Sequence, residues 1–406
     1  VVLGFICFRF SDWGDLFWGS GMKKIKILYV GGLNANQKGA IGSHTSGVIK
    51  ALKNNDKIDL QGLFFKNCLP HVLPNVYYTF DSGLKVNPLS KILQIISFSL
   101  FFRKLIQKNQ YDYVYFRFDP FFAPFISRKN SIIEYNDLFL SQIKFAASKN
   151  EWTNFGKFLR LSTFYRLYVE FSEKFSFNKS ALIVVVTKKL KDYCLKFNSD
   201  NKVLILKNAT YKIGYEQHDR ESDEYLTLGH IGTLTYWDGL KELVYGIKYC
   251  LEIYPECKLR LFIIGEGSMK SEIISLVNHL KMNHIVFIEN EVSYKLIPEL
   301  YKKIDVVPLL KTIEEYGLSP IKFYEALAYG KSLIVTNIPH INELPNYAGS
   351  IVDYPLNIDQ ITLVLNEMFL NKTKIRKNEK SIHDYAMQNH TWDSRIDFLL
   401  NELSHK

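Results

Sequence analysis

Short apolar runs recur along the chain, and the stretches between them carry apolar residues at helical spacing. "IKILYVGG" (25–32) is an unbroken apolar run closed by two glycines, which predicts a strand buried on both faces. "SHTSGVIKALKNN" (43–55) follows with helical periodicity and opens on Ser43, a residue type that caps helix starts. "DYVYFRF", "SIIEYND", "ALIVVVT" and "KVLILKN" repeat the strand pattern with helical stretches between them. This alternation predicts a parallel sheet with helices on both faces.

"YKIGYEQHDRESDE" (211–224) has no apolar period and reads as a linker. The pattern then restarts with "LTLGHIGTL", "KLRLFIIGEG", "HIVFIEN", "DVVPLL", "SLIVTN" and "GSIVD", again with helices between. The expected architecture is α/β, with two Rossmann-like domains over 22–212 and 225–391 joined at 213–224. Their sheets would face each other across a cleft, where open α/β sheets bind ligands at their carboxyl ends. A last amphipathic run, "HTWDSRIDFLLNEL", predicts a C-terminal helix (392–406) that packs back on the first domain.

Length agrees with two domains, since 406 residues exceed what one core usually holds. A net charge of +10 points to an anionic partner, whether a phosphate-rich substrate, a nucleic acid or an acidic membrane. No zinc-type Cys/His spacing and no concentrated basic arm favours nucleic acid, so none is expected. The five cysteines are scattered, which fits reduced thiols in the cytoplasm. The first 21 residues precede the start-like "MKKIKILYVGG" and are expected to be a leader outside the fold; they lack the basic start and small-residue cleavage site of a signal peptide. No apolar run is long enough to span a bilayer.

Candidate chemistry concentrates near residue 320. Ser319 is placed to cap a helix with Pro320 in its first turn, and the helix runs through "IKFYEALAYG" to Gly330. Unpaired amides at such an amino end attract anions. Lys322 and Glu325 share one face of this helix: the lysine could meet phosphate and the carboxylate could accept from vicinal hydroxyls, or the two could form a plain surface pair.

"GLSPIKFYEALAYGKSLIVTNIPHINEL" resembles the donor-binding segment of GT-B glycosyltransferases, in particular family four. "HIGTLTYWDGLKELVYGI", "LFIIGEGSMKSEIISL" and "VVVTKKLKDYCLK…ILKNAT" are similar to other segments of that family and fall in the same order. The resemblance implies a GT-B fold and a metal-independent enzyme that moves a hexosyl or N-acetylhexosaminyl group from a UDP-, GDP- or similar nucleotide sugar, with retention of configuration. The acceptor would be a glycan or lipid-linked saccharide in bacterial capsule or exopolysaccharide synthesis. It places Gly232, Thr233, Lys241, Gly265, Glu266, Gly317, Leu318, Ser319, Pro320, Lys322 and Glu325 around the donor, with Glu325 on its ribose.

Two departures from the family pattern stand out. Counting eight residues back from Glu325, where the family carries the first glutamate of the motif facing the sugar, the chain has Gly317; Glu314 or Glu315 could replace it from a longer loop, and Glu315 is taken as the catalytic candidate. The family's phosphate-gripping arginine and lysine are replaced by Thr233 and Asp238, leaving Lys241 and Lys322 as substitutes and Asp238 as a helix cap. These losses keep a noncatalytic donor-binding subunit open, and an epimerase of the same fold is a further alternative.

In the first domain, "KGAIGSHTSG" corresponds to a loop whose Gly42 and Ser43 amides would reach the donor phosphates. His44 is either a satisfied polar residue or a ligand contact, and Asn136, with Glu134 and Asp137 beside it, is either a sugar-side contact or a loop cap. Residues 88–110 and 149–171 combine apolar, aromatic and basic residues. Each could lie on an anionic membrane at the inner face of the plasma membrane or pack as a core helix.

Overall fold

The computed structural model describes residues 24–31, 40–81, 88–141, 162–198, 202–216, 223–312, 319–337 and 343–405. Seven parallel strands form the first sheet: β1 (Ile25–Val30), β2 (Ile58–Phe65), β3 (Val76–Phe80), β4 (Tyr113–Arg117), β5 (Ser131–Tyr135), β6 (Leu182–Val185) and β7 (Val203–Ile205). Their order is β3-β2-β1-β4-β5-β6-β7, a doubly wound arrangement whose order reverses between β1 and β4. β2 and β3 were not expected from the sequence. In β2 exposed Asp59 and half-buried Gln61 interrupt the apolar run that marks the other strands.

One face of this sheet packs on α2 (Pro88–Lys108), α3 (Ala123–Ile126), α4 (Thr163–Lys179) and α5 (Lys188–Cys194). The other packs on α1 (Ala40–Asn54) and, from the far end of the chain, α13 (Trp392–Ser404). Trp392, Ile396, Leu399 and Leu400 sit in the same core as Ile27, Val48 and Leu52, so the last helix completes the first domain.

The second sheet holds β8 (Leu226–Ile231), β9 (Leu259–Ile264), β10 (Val286–Glu289), β11 (Val306–Leu309), β12 (Ser332–Thr336) and β13 (Gly349–Val352). The order β10-β9-β8-β11-β12-β13 repeats the first topology, with its reversal between β8 and β11. It is flanked by α6 (Leu240–Ile253), α7 (Lys270–His279), α8 (Ile297–Lys302), α9 (Ile321–Ala328), α10 (Ile358–Leu370), α11 (Lys372–Lys377) and α12 (Glu379–Asn389). Fully buried Asp305, just before β11, receives a two-point contact from Arg376 of α11 (2.9 and 3.1 Å) and the Thr227 amide (2.9 Å). That pairing meets the charge-burial cost at the sheet's amino edge.

Gly47 in α1 lies against the Trp392 indole, where a Cβ would come within 2.3 Å of Nε1. Helix propensity favours alanine over glycine by about 0.5–1 kcal/mol, but forcing the indole out of a packed core costs about 1–3 kcal/mol. Gly47→Ala is therefore expected to be net destabilising by about 1 kcal/mol, read as a lower urea midpoint. An unchanged or raised midpoint would show that α13 is not fixed against α1.

Candidate active site

At the carboxyl edge of the second sheet, α9 begins one residue later than its sequence suggests. Pro320 occupies the cap position (φ −69°, ψ 127°) and offers no side-chain cap, while Ser319 faces elsewhere. The Ser319 hydroxyl accepts from the Asn208 amide (3.2 Å) and lies 3.1 Å from the Tyr324 hydroxyl, partners that outcompete the helix end for it. Phe323 N–H turns back to the Pro320 carbonyl (3.1 Å), which leaves the Ile321 and Lys322 amides at the positive end of the helix.

Lys322 runs from this helix start under β8. Its ammonium donates to His230 Nε2 at 3.1 Å, and burial lowers its pKa to about 8 despite the nearby carboxylates of Asp238 and Glu325. Burial and then the Lys322 charge depress His230 to about 3, so this histidine is neutral and its Nε2 can accept. Gly232 follows the strand at φ +132°, and a Cβ there would meet Lys322 Cε at 2.5 Å. Glycine is favoured at 232 by this positive φ, and the end of the lysine side chain lies in the space a side chain would take. At Gly265 a Cβ would come within 1.9 Å of the Gly232 carbonyl, so the two turns close on each other backbone to backbone.

Asp238 is buried, and Lys311, which extends β11 and is itself buried, pairs with it. Burial works against the Asp238 charge, yet Lys311 and Lys322 hold its pKa well below the usual carboxylate range. Its other oxygen accepts from the Thr235 amide (3.1 Å) and hydroxyl, which makes Asp238 part of a capping box on the short turn Tyr236–Asp238. The helix after it instead starts from Gly239. Lys241 spends its charge on Glu272 (2.7 Å), and exposed Glu266 is paired with Lys270 (2.6 Å). Thr233 is exposed beside Gly232. Glu314, Glu315, Gly317 and Leu318 lie outside the described residues.

Glu325 stands one turn below Lys322 with aromatic walls. Burial raises its pKa and Lys322 pulls it back, with no hydrogen-bond donor among the described residues contributing. Its carboxylate is felt by Tyr211, Tyr294, Tyr301 and Tyr329; burial and then Glu325 push Tyr211 and Tyr329 up to about 12. Tyr301 and Tyr329 stack at 4.3 Å. An acceptor without donors at the edge of such walls suits a ligand that brings hydroxyls.

In the first domain α1 starts at Ala40, so Gly42 and Ser43 lie in its first turn and not in a preceding loop. The Gly42 amide remains among those a helix cannot pair internally, whereas the Ser43 amide is at the position that bonds the cap carbonyl. His44 Nε2 contacts the Glu134 carboxylate, and Nδ1 faces Asn208 Oδ1 at 2.6 Å. Asn208 Nδ2 donates to the Ser319 carbonyl, which fixes its oxygen toward the imidazole. Both ring nitrogens thus face acceptors. Asn136 Nδ2 donates to Glu134 as well. Burial opposes the charge of Glu134, but His44, Arg117 and Asn136 hold its pKa down at about 2. Asn208 therefore ties the carboxyl edges of both sheets together, and Lys207 beside it pairs with Glu343 (2.9 Å), which also accepts from Tyr324 (3.0 Å).

Sequence reading missed Lys311, His230 and Asn208. A lysine and an asparagine directly after apolar strands ("VVPLLK", "ILKN") were the available signal, since the polar residue ending a buried strand sits at the binding edge.

Residues 215–387 match the family described as glycosyl transferases group 1. No curated protein matches the sequence. Among solved structures, the chain is similar to a lipopolysaccharide outer core galactosyltransferase WaaB in its apo form (15% identity, TM-score 0.62, covering 94% of this chain and 99% of that one). It is also similar to Anabaena Alr3699/HepE in complex with UDP and glucose (14% identity, TM-score 0.65, 94% and 100%). A glycosyltransferase from Rickettsia africae ESF-5 is comparable (14% identity, TM-score 0.63, 94% and 98%). At these identities the likeness is one of fold: the chain has the GT-B architecture of two parallel-sheet α/β domains.

Asn208→Ala would leave the His44 Nδ1–H and the Ser319 carbonyl without their partner. Each such loss costs about 1–3 kcal/mol when buried, so the Tm should fall by several degrees; Asn208→Ser, which keeps a polar group, should recover part of it. An unchanged Tm in the alanine variant would show that this joint bears no load.

Proposed function

We propose that the protein is a retaining glycosyltransferase that takes a hexosyl or N-acetylhexosaminyl group from a nucleotide-diphosphate sugar. Its acceptor is a glycan or lipid-linked saccharide, in the assembly of a bacterial capsule or exopolysaccharide at the cytoplasmic face of the membrane. The observation that carries this reading is the ammonium of Lys322, enclosed at the amino end of α9 with a neutral histidine for its nearest partner. Such a charge is stabilised by an anion docking on the helix start. A solved structure of similar fold is described as a complex with UDP and glucose, which supports a nucleotide sugar as the donor here.

In this reading Glu325 accepts from the ribose hydroxyls. The α9 amides and Lys322, with Gly42 and Ser43 opposite, take up the charge that builds on the leaving diphosphate as the sugar–phosphate bond breaks. These cations and dipoles perform that task without a metal. Gly232, Thr233 and Gly265 form the turns under the donor, and Ser319 and Pro320 set the helix start. Gly317, Leu318 and Glu315 would border the sugar. His44 and Asn136, oriented by Glu134, face the sugar and acceptor side. Lys241 and Glu266 are assigned only a peripheral part, because each already holds a surface partner.

Glu325→Gln should weaken UDP binding about ten- to a hundredfold, the range of a charge-assisted hydrogen bond. The same substitution should change nothing for 2′,3′-dideoxy-UDP, and an equal loss with both ligands would remove the ribose assignment. Lys322→Met should lower kcat by about 10²–10³; tight nucleotide binding with no turnover in the unaltered protein would instead indicate a noncatalytic binding subunit.

The depressed pKa of Lys322 also sets a pH dependence. Between about 8 and its ordinary value the unfolded chain holds a proton that the fold does not, so this group's penalty is complete below pH 8 and is relieved as pH rises above it. A bound diphosphate favours the ammonium and reverses the shift. Binding of UDP at about pH 9 should therefore take up a proton, detected by calorimetry in buffers of different ionisation heat, and affinity should fall as pH rises through 8. Binding without proton uptake would separate Lys322 from the phosphates.

A further inference from the structure

Lys311 follows β11 in a frame that fixes its backbone on both sides. Its amide donates to the Thr336 hydroxyl at 2.6 Å, and that hydroxyl turns back to the Lys311 carbonyl at 3.4 Å. Thr312 donates from its amide to the Trp237 carbonyl and from its hydroxyl to the Tyr236 carbonyl, both at 3.1 Å. Leu310 packs on Gly239, where φ is +58° and a Cβ would stand 2.8 Å from Leu310 Cβ. Three consecutive residues thus join the end of β11 to the turn that follows β8, and the Lys311 ammonium falls on the Asp238 carboxylate.

A buried ion pair is often no more stable than apolar side chains of equal size, so the fold gains little from this one by itself. Its place gives it a use. Four groups act on half-buried Lys322: His230 of β8, Asp238 of the turn after it, Lys311, and Glu325 of its own helix. Asp238 acts on it more strongly than Glu325 does. An ammonium has three protons to give; Lys322 gives one to His230 at 3.1 Å, and among the described residues no second acceptor is in contact with it. An acid beside this ammonium works against an incoming diphosphate in two ways, by repelling it and by competing with it for the lysine. Asp238 is restrained on both oxygens, one by Lys311 and the other by the amide and hydroxyl of Thr235. Thr235 orients the carboxylate without charge; the cancelling charge comes from Lys311.

We infer that Lys311 is a positioning residue of the donor site: by occupying Asp238 it keeps the Lys322 ammonium free of a carboxylate and available to a diphosphate. Without Lys311, Asp238 turns to the remaining cation that it acts on, and the anion site closes on itself. The ligand rests on the proposed transfer from a nucleotide-diphosphate sugar, whereas the competition of the two lysines for Asp238 belongs to the protein without ligand.

Acetic anhydride modifies the free amine and not the ammonium. The pH at which labelling of Lys322 is half-maximal, followed by mass spectrometry of its peptide, therefore reports its protonation without any ligand. In the unaltered protein this midpoint should lie near 8. In Lys311→Met it should rise by at least about one pH unit, as a carboxylate partner favours the ammonium, and UDP affinity should fall about tenfold or more. In Lys311→Met/Asp238→Asn both should return, because the competitor leaves with the residue that restrained it. Asp238→Asn alone keeps a cap oxygen for Thr235 and should leave UDP affinity at pH 7 undiminished, with no rise in the midpoint. An unchanged midpoint in Lys311→Met, an ordinary lysine midpoint in the unaltered protein, or weakened UDP binding by Asp238→Asn would overturn the inference. So would a double variant that binds UDP as poorly as Lys311→Met, which would put Lys311 itself on the phosphates. If the midpoints move as stated but the unaltered protein binds no UDP, the donor reading fails and the hold of Lys311 on Asp238 stands.

Discussion

Lys322 carries a positive charge into a half-buried place where no carboxylate among the described residues pairs with it, although Glu325 one turn on is felt. Asp238 is close enough to be felt, but it is bound by Lys311 and by the Thr235 cap. The nearest group, His230, is held neutral by burial and by the lysine itself, and can offer one lone pair. Gly232 holds a φ of +132° that favours glycine, and the lysine passes through the space a side chain would take. The energetic cost of partly burying this cation is thus left partly unmet, with helix amides beside it and, one turn below, a carboxylate that no donor among the described residues reaches. An anion that carries hydroxyls answers both halves at once, and that requirement shapes the rest of the site.

The approach to this arrangement is held from outside the second domain, at Ser319 just ahead of the α9 cap. Asn208 reaches from the end of the first domain's sheet to the carbonyl and hydroxyl of Ser319, and its own oxygen is committed to His44. His44 is in turn committed to Glu134. The result is a line of polar contacts from the carboxyl edge of one sheet to that of the other, with Lys207 and Glu343 closing a second link beside it. Packing supports the same joint from behind, because α13 returns to seat Trp392 against α1, the helix that carries His44. The two carboxyl edges are therefore positioned by each other.

The legibility of the chain followed the physical range of its signals. Buried parallel strands are apolar from end to end, so most of them could be read directly, whereas β2, with Asp59 and Gln61 in its run, could not. The Lys322–Glu325 pair is local, set by one helical turn, and was visible for the same reason. The Ser319 cap was misread because local propensity favours a serine there, yet Asn208 and Tyr324 compete for the same hydroxyl. Lys241 was a reasonable phosphate ligand by position in the chain; Glu272, from the next helix, already holds it.

What the amino-acid order determined by itself was most of the elements, the doubling of the α/β unit and the pairing of Lys322 with Glu325 on one face of α9. Each of these depends on contacts within a few residues, where spacing and side-chain type suffice. Only tertiary structure decided which lysine stays free, that Lys311 answers Asp238, and that Asn208 joins the two edges. Those outcomes depend on distances between strand ends and helices far apart in the chain, and burial acts on a charge only after the whole fold has removed the water around it.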